Sequence, residues 1–218
     1  EAIAKLPKGT WHNVLTVDGY EQEIDLHAAL TIAEDNITLD FDGTSGLSNK
    51  GINVPLNYAT AYSVFALRCI IGPDIPNNTG SLAPFHVTGP KDCILNAQPP
   101  APVAMRHTLG QMTPDLVYGC LAQVLPDKVP AEGASCMYDL PLRHVPEAVS
   151  RGDELFALEL VFSGGTGARP GLDGLSATAF PSGVWGSQVE SLPISPQCQH
   201  FVKLTHDQQV GKEGRDLG

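Results

Sequence analysis

The sequence predicts an α+β fold with a mixed, mainly antiparallel sheet, packed helices and long loops. Apolar and polar residues alternate at 24–32 and 37–41, and this period of two is typical of half-buried strands. Between residues 57 and 71 the apolar residues recur every three or four positions, which favours a helix. Eighteen prolines and twenty-two glycines in 218 residues favour many turns and irregular connections.

Three strands are predicted near the start of the chain. The first covers residues 10–17 and ends before Asp18-Gly19, a turn signal. A second turn, at residues 34–36, separates the next two strands, so the three are expected to form an antiparallel meander. The second strand is predicted to place five apolar residues on one face, namely Ile24, Leu26, Ala28, Leu30 and Ile32.

Two helices are predicted after these strands. The first ends at Gly72-Pro73. The second begins with Thr113 as N-cap and Pro114 at the first helical position, and Pro126 stops it. The apolar stripe of the first helix is predicted to comprise Tyr58, Ala61, Tyr62, Phe65, Ala66, Cys69 and Ile70. The buried face of the second is predicted to comprise Val117, Cys120, Leu121 and Val124.

The rest of the chain is predicted to be mostly loop. The connection between the helices contains "PDIPNNTG" and "NAQPPAPVAMRHT", and a connection of this length usually has a functional role or winds over a partner. A further strand is indicated by the alternation of Phe156, Leu158, Leu160 and Phe162. No repeat or linker divides the chain, so residues 1–218 are predicted to form a single domain.

Charge and cysteine content exclude several classes of function. The net charge of −11 argues against nucleic acid, whose phosphates require Lys and Arg, and against an anionic membrane surface. No apolar run reaches the roughly 18 residues of a membrane-spanning helix. The five cysteines are odd in number and form no C-x-x-C pair, which predicts reduced thiols in a cytoplasmic protein.

The stretch "DFDGTS" at residues 40–45 raises two interpretations. Asp40 and Asp42 flank one residue of a strand end, so their carboxylates point to the same face. Paired carboxylates can bind a metal, position a cation or share a proton. Asp42-Gly43 is equally typical of a simple turn, and the spacing alone leaves both interpretations open.

Other motifs are weaker. "GGTGARPGLDG" at 164–174 lacks the G-K-[ST] of a phosphate loop because Arg169-Pro170-Gly171 follows the glycines. A structural turn that carries Arg169 and Asp173 is therefore favoured. The seven histidines lack the spacing of metal ligands, and no G-x-S-x-G nucleophile motif is present. The sequence predicts no metal site in this chain.

Seven stretches together resemble one family. They are "DFDGTS" at 40–45, "NVPLN" at 53–57, "ALRCI" at 66–70, "IPNNTG" at 75–80, "PPAPVAMR" at 99–106, "PDLVYGCLAQVLPDKVPAEG" at 114–133 and "GGTGARPGLDG" at 164–174. Their order and spacing resemble the B-type subunits of ATP-dependent N-methylhydantoinases, a family related to 5-oxoprolinases and to acetone and acetophenone carboxylases.

The resemblance implies a role in a larger enzyme. An A-type partner subunit would use ATP to activate a small cyclic amide or ketone, and the B-type subunit would complete hydrolysis or carboxylation. The complete assembly would hold ATP and a divalent metal, with the metal in an N-terminal region that precedes Glu1. The chain is then expected to be a central fragment of the family domain, part of a hetero-oligomer and inactive alone. The alternative is a non-catalytic assembly module or truncated paralogue that docks a partner subunit.

Five residues are candidates for the site that this resemblance implies. Asp42 and Thr44 are predicted to orient substrate, directly or through a neighbouring side chain. Asn53 is predicted to donate to a carbonyl oxygen. Arg106 is predicted to hold a carboxylate or phosphate bidentately, with a bridge to Asp115 as the structural alternative.

The glycine-rich stretch is predicted to form one wall of the same site. Gly164 and Gly165 would let the backbone approach a ligand, and Asp173 would add a carboxylate. The alternative is that Asp173-Gly174 only turns the chain. All these loops are therefore expected to line a single cavity.

Overall fold

The computed structural model of the chain describes residues 1–133, 137–143, 151, 157–163 and 165–175. Its strands, in chain order, are β1 (Gly9–Val17), β2 (Ile24–Ile32), β3 (Ile37–Asp40), β4 (Phe85–Thr88), β5 (Met137–Arg143) and β6 (Ala157–Ser163). Its helices are α1 (Leu56–Ile70), α2 (Thr79–Leu82), α3 (His107–Gly110) and α4 (Thr113–Leu121), and a 3₁₀ turn covers Ile3–Lys5. The α+β prediction is confirmed.

The larger sheet has the strand order β1-β2-β3-β4. β1, β2 and β3 pair antiparallel, which confirms the predicted meander, and β4 adds to β3 in parallel. β4 lies in the connection that the sequence predicted to be loop. Its four residues, Phe85–Thr88, alternate between half-buried and exposed, and so short a segment carries too little periodicity to be told from a loop.

A second sheet consists of β5 and β6, which pair antiparallel. β6 confirms the strand predicted from the alternation of Leu158, Leu160 and Phe162, whereas Phe156 lies outside the described residues. β5 was not predicted, although Tyr138, Leu140 and Leu142 alternate with Asp139, Pro141 and Arg143, because a Pro is uncommon inside strands and argues against one.

The second helix begins differently from the prediction. Met112, not Thr113, is the N-cap of α4, and no side chain caps the helix there. The hydroxyl of Thr113 instead donates to the carbonyl of Gly110 at 2.9 Å. The preceding residues already have helical backbone angles, because α3 leads into α4 through Gln111 and Met112. The predicted buried face is confirmed for Val117, Cys120 and Leu121.

The apolar stripe predicted for α1 is only partly correct. Ala66 is buried as predicted, but Ala61 is exposed and the ring of Phe65 is 39% exposed. The face turned to the core comprises Ala59, Ser63, Ala66, Leu67 and Arg68. The true buried face includes two polar residues, so a stripe drawn through apolar residues alone points in the wrong direction.

The core lies between the sheet and the two longer helices. The five predicted inward residues of β2 are at most 5% exposed, and α4 packs on β1 and β2 while α1 packs on α4 and β4. Burial of each such aliphatic side chain contributes about 1.5–3 kcal/mol. Within the described part, no helix has the length and apolar character needed to cross a bilayer.

The buried thiol of Cys120 should make the free energy of unfolding depend on pH. It is fully buried on α4, and burial raises its pKa from 9.0 to about 12. Because the folded state holds this proton more tightly than the unfolded state, the stabilisation is complete below pH 9 and is lost as the pH rises towards 12. We expect the wild type to lose up to about 1.4 kcal/mol more per pH unit above 9 than Cys120→Ala.

Urea unfolding at pH 8, 9 and 10 measures this difference. The substitution removes the titrating group but keeps a small apolar side chain, so each protein serves as its own reference at pH 8. Parallel stability curves for the two proteins would contradict the assignment.

Candidate active-site loops

The "DFDGTS" stretch leaves β3 through a tight turn. Phe41 N–H donates to the carbonyl of Thr88 at 3.0 Å, and Thr44 N–H donates back to the carbonyl of Phe41 at 3.1 Å. Gly43 has φ +90°, a conformation that favours glycine. A Cβ at this position would lie 3.1 Å from the Nδ1 of His27. The turn therefore favours glycine for its conformation, and any other side chain here would also crowd His27.

Two hydroxyl residues then fasten this loop to β2. Thr44 Oγ1 accepts from the N–H of His27 at 2.9 Å and is 3.3 Å from the carbonyl of the same residue. Ser45 Oγ accepts from the N–H of Asp25, and Ser45 N–H donates to the carbonyl of Asp25, both at 2.9 Å. The side chains of Thr44 and Ser45 replace the backbone hydrogen bonds that a longer β3 would have formed with β2.

Thr44 should consequently matter for stability. Thr44→Val leaves the N–H of His27 without its acceptor, and such a loss costs about 1–3 kcal/mol. We expect the free energy of unfolding to fall by that amount in urea titrations. Thr38→Val, on the outer face of β3, is the matched control and should change stability by less than about 0.5 kcal/mol. Equal effects of the two substitutions would contradict the role of Thr44.

Asp42 takes part in a turn and also has an available carboxylate, the two interpretations that the sequence left open. Its N–H donates to Oδ1 of Asp40 at 3.2 Å, as in turns initiated by Asp. Its own side chain is exposed, and no described residue donates to its carboxylate. The loop is thus a turn that also presents a free carboxylate to solvent.

The neighbour of these carboxylates is Cys93. Burial raises the pKa of the Cys93 thiol, hydrogen bonds from the backbone of Leu95 and Asn96 lower it, and the negative charges of Asp40 and Asp42 raise it. Cys93 is 4% exposed, an environment typical of a structural cysteine rather than of a nucleophile.

Backbone hydrogen bonds connect the loop to more distant stretches. Ile94 N–H donates to the carbonyl of Ser45 at 2.9 Å, Val54 N–H to the carbonyl of Ile94 at 2.8 Å, and Ala97 N–H to the carbonyl of Val54 at 3.0 Å. Gly46 also forms an isolated antiparallel bridge with Cys93. Residues 42–46, 93–97 and 53–54 therefore form one continuous layer, which we call the loop layer.

Asn53 braces this layer from within. Its side chain is fully buried. Its Oδ1 accepts from the N–H of Ser48 at 2.8 Å, and its Nδ2 lies 2.8–2.9 Å from the carbonyls of Ser48, Lys50 and Pro102. Both amide hydrogens are thus used within the protein. The donation of Asn53 to a substrate carbonyl stays a prediction, whereas its bracing of residues 48–50 and 102 is observed.

Residues 102–106, which Asn53 joins to the loop layer through the carbonyl of Pro102, form its last segment and end at Arg106. Met105 N–H donates to the carbonyl of Gly51 at 2.8 Å and anchors the segment. The exposed guanidinium of Arg106 donates to the carbonyl of Val103 at 3.3 Å and lies 5.7 Å from the ring centroid of Tyr58. In the described part, Arg106 has no ion pair within 4.0 Å, so its charge is available to an anion.

Asp115, the partner weighed for Arg106 from the sequence, has another environment. It is fully buried in the first turn of α4, where Oδ1 accepts from the N–H of Gly133 at 3.4 Å. Burial and, to a smaller extent, the neighbouring Tyr62 raise the pKa of Tyr58, which Arg106 lowers slightly. Tyr58 thus remains a neutral ring beneath the guanidinium.

The glycine-rich stretch forms a hairpin. Arg169 and Leu172 exchange two backbone hydrogen bonds of 2.9 Å, and Gly171 has φ +73°. Pro-Gly at the two central positions with this geometry is typical of a type II turn. Arg169 also donates to the main-chain carbonyl of Asp173 at 3.2 Å, while the Asp173 side chain is exposed.

This hairpin docks on the segment after α4. Ala131 N–H donates to the carbonyl of Ala168 at 2.8 Å. A Cβ at Gly167 would lie 2.0 Å from the carbonyl oxygen of Ala131, so glycine is required by the close approach of two backbones. Gly164, which the sequence placed in the same wall, lies outside the described residues.

The predicted residues thus fall into two groups. Hydrogen bonds of the loop layer connect Asp42, Thr44, Asn53 and Arg106, and the hairpin with Asp173 is attached to residues 130–133 instead. None of these five residues lines either of the two cavities that the described residues form beside α1. Whether all five share one ligand stays a prediction.

Sequence reasoning missed several residues in the layer or in contact with it. Tyr58 was assigned only to a helical stripe, and no role was given to Ser45 or Cys93. Their contacts join residues 45 and 94, and 58 and 106, and no local pattern reports such distant pairs. The Asp-Gly turn was the one local signal that pointed to this region.

The described residues do not form a site for the divalent metal or the ATP that the resemblance implied for the complete assembly. Within them, no three His, Cys, Asp or Glu side chains converge in a way that could hold a metal ion. The glycine-rich hairpin also differs from the strand–loop–helix that cradles nucleotide phosphates. No step of the chemistry is therefore assigned to a metal or a nucleotide on these residues.

Comparison with known proteins gives the family. The sequence model of the family Hydantoinase B/oxoprolinase matches residues 1–195. The chain belongs to this family. A putative D-/L-hydantoinase B-type subunit of Pseudomonas sp. (strain NS671) is 27% identical over 192 residues, which cover 81% of this chain and 31% of that protein. 5-oxoprolinase 1 of Arabidopsis thaliana is 28% identical over 179 residues, which cover 79% of this chain and 13% of that protein.

Two solved structures have a similar fold. The ATP-dependent caprolactamase from Pseudomonas jessenii has a TM-score of 0.68 at 21% identity, over 80% of this chain and 31% of that one. Nucleotide-free acetone carboxylase has a TM-score of 0.68 at 19% identity, over 81% of this chain and 26% of that one. This Hydantoinase B chain spans less than a third of the length of these relatives.

Proposed function

We propose that this chain is part of the B-type component of an ATP-dependent enzyme that acts on a small cyclic amide or ketone. The observation that carries the proposal is the Hydantoinase B/oxoprolinase match over residues 1–195. The fold likeness to an ATP-dependent caprolactamase and to an acetone carboxylase supports it. An A-type partner supplies the ATP-dependent activation, and a divalent metal belongs to the complete hetero-oligomeric assembly.

The loop layer supplies two side chains that can contact a ligand. The exposed carboxylate of Asp42 can orient an N–H group or a water molecule, and the exposed guanidinium of Arg106 can hold an anionic oxygen bidentately. Preorganised charges of this kind stabilise developing charge in a transition state. Asp173, on the separate hairpin, is a third ligand-facing candidate.

The other two predicted residues act in the proposal as positioning residues. Thr44 fixes the turn that carries Asp42 to β2, and Asn53 fixes the segment that leads to Arg106. A site of this kind must hold its groups within a fraction of an ångström. The buried hydrogen bonds of Thr44 and Asn53 provide that support.

The cytoplasm is the proposed location. In the described part, Cys69, Cys93 and Cys120 are free thiols, and unpaired cysteines are typical of reducing compartments.

A coupled ATPase assay tests the function. The chain, with and without its A-type partner, is offered cyclic amides and ketones in turn. We expect substrate-dependent ATP hydrolysis and product formation only when the partner is present. Turnover by the isolated chain without ATP would contradict the mechanism. Formation of a stable complex without turnover of any compound would favour the alternative, a non-catalytic assembly module.

A further inference from the structure

The outer face of α1 borders an apolar groove that the loop layer does not use. We call it the α1 groove. It has a volume of about 660 Å³ and is bounded by α1, by the segment 73–77, by α2 and by β4. Its walls include Val64, Phe65, Ile75, Leu82 and Phe85.

Large side chains at its rim are partly exposed. Phe65 is 39% exposed, Ile75 46% and Leu82 37%. These three lie on separate elements yet border one depression, so they form a continuous apolar surface rather than scattered single residues. Continuous apolar surfaces on soluble proteins usually mark a site of contact, and covering them contributes about 25 cal/mol for each Å² removed from water.

A buried cation lies in the wall of this groove. Arg68 is only 7% exposed. Its Nε donates to Oδ1 of Asn77 at 3.3 Å, its Nη1 to the carbonyl of Ile71 at 3.3 Å, and its Nη2 to the carbonyl of Ile75. These bonds use three of the five N–H groups of a guanidinium, which leaves two for another acceptor.

Arg68 has no carboxylate partner within the described residues. No ion pair of 4.0 Å or less involves it there. Glu1, Glu34 and Asp35 line the neighbouring cavity that Arg68 also borders, but they remain exposed and beyond that distance. A buried charge is usually paired, so the groove is complementary to an apolar group that carries an anion.

The length of the relatives indicates the source of such a group. The matched stretch covers 31% of the B-type hydantoinase polypeptide from Pseudomonas, so more than two thirds of that polypeptide lies outside it. A second copy of this chain is disfavoured, because a two-fold symmetric contact through the groove brings the two Arg68 cations together.

We propose that the α1 groove binds a segment of the B-type polypeptide from outside residues 1–218. The segment is apolar and carries an Asp or Glu whose carboxylate pairs with Arg68. This inference rests on membership of the family and not on the ATP-dependent reaction, so the two can fail independently.

Site-specific photocross-linking tests the proposal. Phe65 is replaced by p-benzoylphenylalanine in the protein expressed from its own gene, the cells are irradiated, and the cross-linked peptides are sequenced by mass spectrometry. We expect the cross-link to join Phe65 to a B-type segment outside residues 1–218, with an Asp or Glu within one or two helical turns. The same probe at Val14, which is 49% exposed on β1, should give at least tenfold less of this product.

Charge variants test the role of Arg68. Arg68→Gln should lower the yield at least fivefold, whereas Arg68→Lys should retain most of it. Because Arg68→Gln can also loosen the segment 71–77, the acid on the captured segment is replaced by its amide in a second variant, which should lower the yield equally.

Three outcomes would overturn the proposal. They are a yield no higher than at Val14, a cross-link only to another copy of residues 1–218, and capture of a protein unrelated to the B-type family.

Discussion

Replacing Asn53 with alanine is expected to lower the free energy of unfolding by about 1–3 kcal/mol, since it removes the buried amide to which backbone groups of Ser48, Lys50 and Pro102 are bonded. The side chain of Asn53 makes four hydrogen bonds, to the N–H and carbonyl of Ser48 and to the carbonyls of Lys50 and Pro102. The Asn53 side chain is fully buried, whereas the hydrogen bonds are part-buried, so water replaces them only in part. Urea titration at neutral pH measures the loss.

Asn57→Ala is the matched control for this substitution. Asn57 is exposed in the first turn of α1, and its replacement should change stability by less than about 0.5 kcal/mol. A loss of less than 1 kcal/mol for Asn53→Ala would show that the loop layer is not braced as described.

Asp42→Asn is expected to lower turnover of the assembled enzyme at least about 100-fold, the scale of losing one preorganised electrostatic contact. The amide keeps the size of the side chain and the backbone N–H that bonds to Asp40, so the turn should persist. The side chain accepts no hydrogen bond from the described residues, so stability should change by less than about 0.5 kcal/mol. The measurements are kcat and KM in the coupled ATPase assay.

Asp18→Asn provides a control in the same local sequence. Asp18-Gly19 and Asp42-Gly43 are both Asp-Gly pairs that follow strands, and both aspartates are exposed, but only the second pair belongs to the loop layer. Asp18→Asn should leave turnover unchanged. Full activity of Asp42→Asn would show that "DFDGTS" is only a turn. An equal loss of turnover in Asp42→Asn and Asp18→Asn would indicate an unspecific effect of charge.

The strands and helices with strong periodicity could be predicted from the sequence. β2 and β3 bury every second residue, and a period of two is read directly from a sequence. α1 was predicted to within one residue of its observed ends, Leu56 and Ile70, because apolar residues recur every three or four positions and Gly72-Pro73 follows them. β4 could not be predicted, since its position beside β3 depends on residues almost fifty positions earlier.

The orientation of α1 could not be predicted for a different reason. Ser63 and Arg68 are buried while Phe65 is exposed, which reverses the usual preference of these residue types. Arg68 is buried because it donates to carbonyls just after the helix. The face that looked like core from the sequence instead borders the α1 groove.

The candidate site was predictable only as a set of isolated residues. The sequence indicated Asp42 through its spacing to Asp40, and the structure adds that its carboxylate is exposed. The roles of Thr44 and Asn53 depend on partners 17 and 49 residues away, and no local pattern contains that information. Family resemblance suggested the region, whereas the hydrogen bonds distinguish the residues that hold the loops from those that face solvent.

A double-mutant cycle tests most directly whether the loop layer presents Asp42 and Arg106 to one ligand. The values of kcat/KM are measured for the assembled wild type, Asp42→Asn, Arg106→Gln and the double variant. We predict a coupling of at least about 1 kcal/mol, because residues that act on the same bound group are not independent. Effects that add within about 0.5 kcal/mol, as for distant sites, would show that the two residues do not share a ligand.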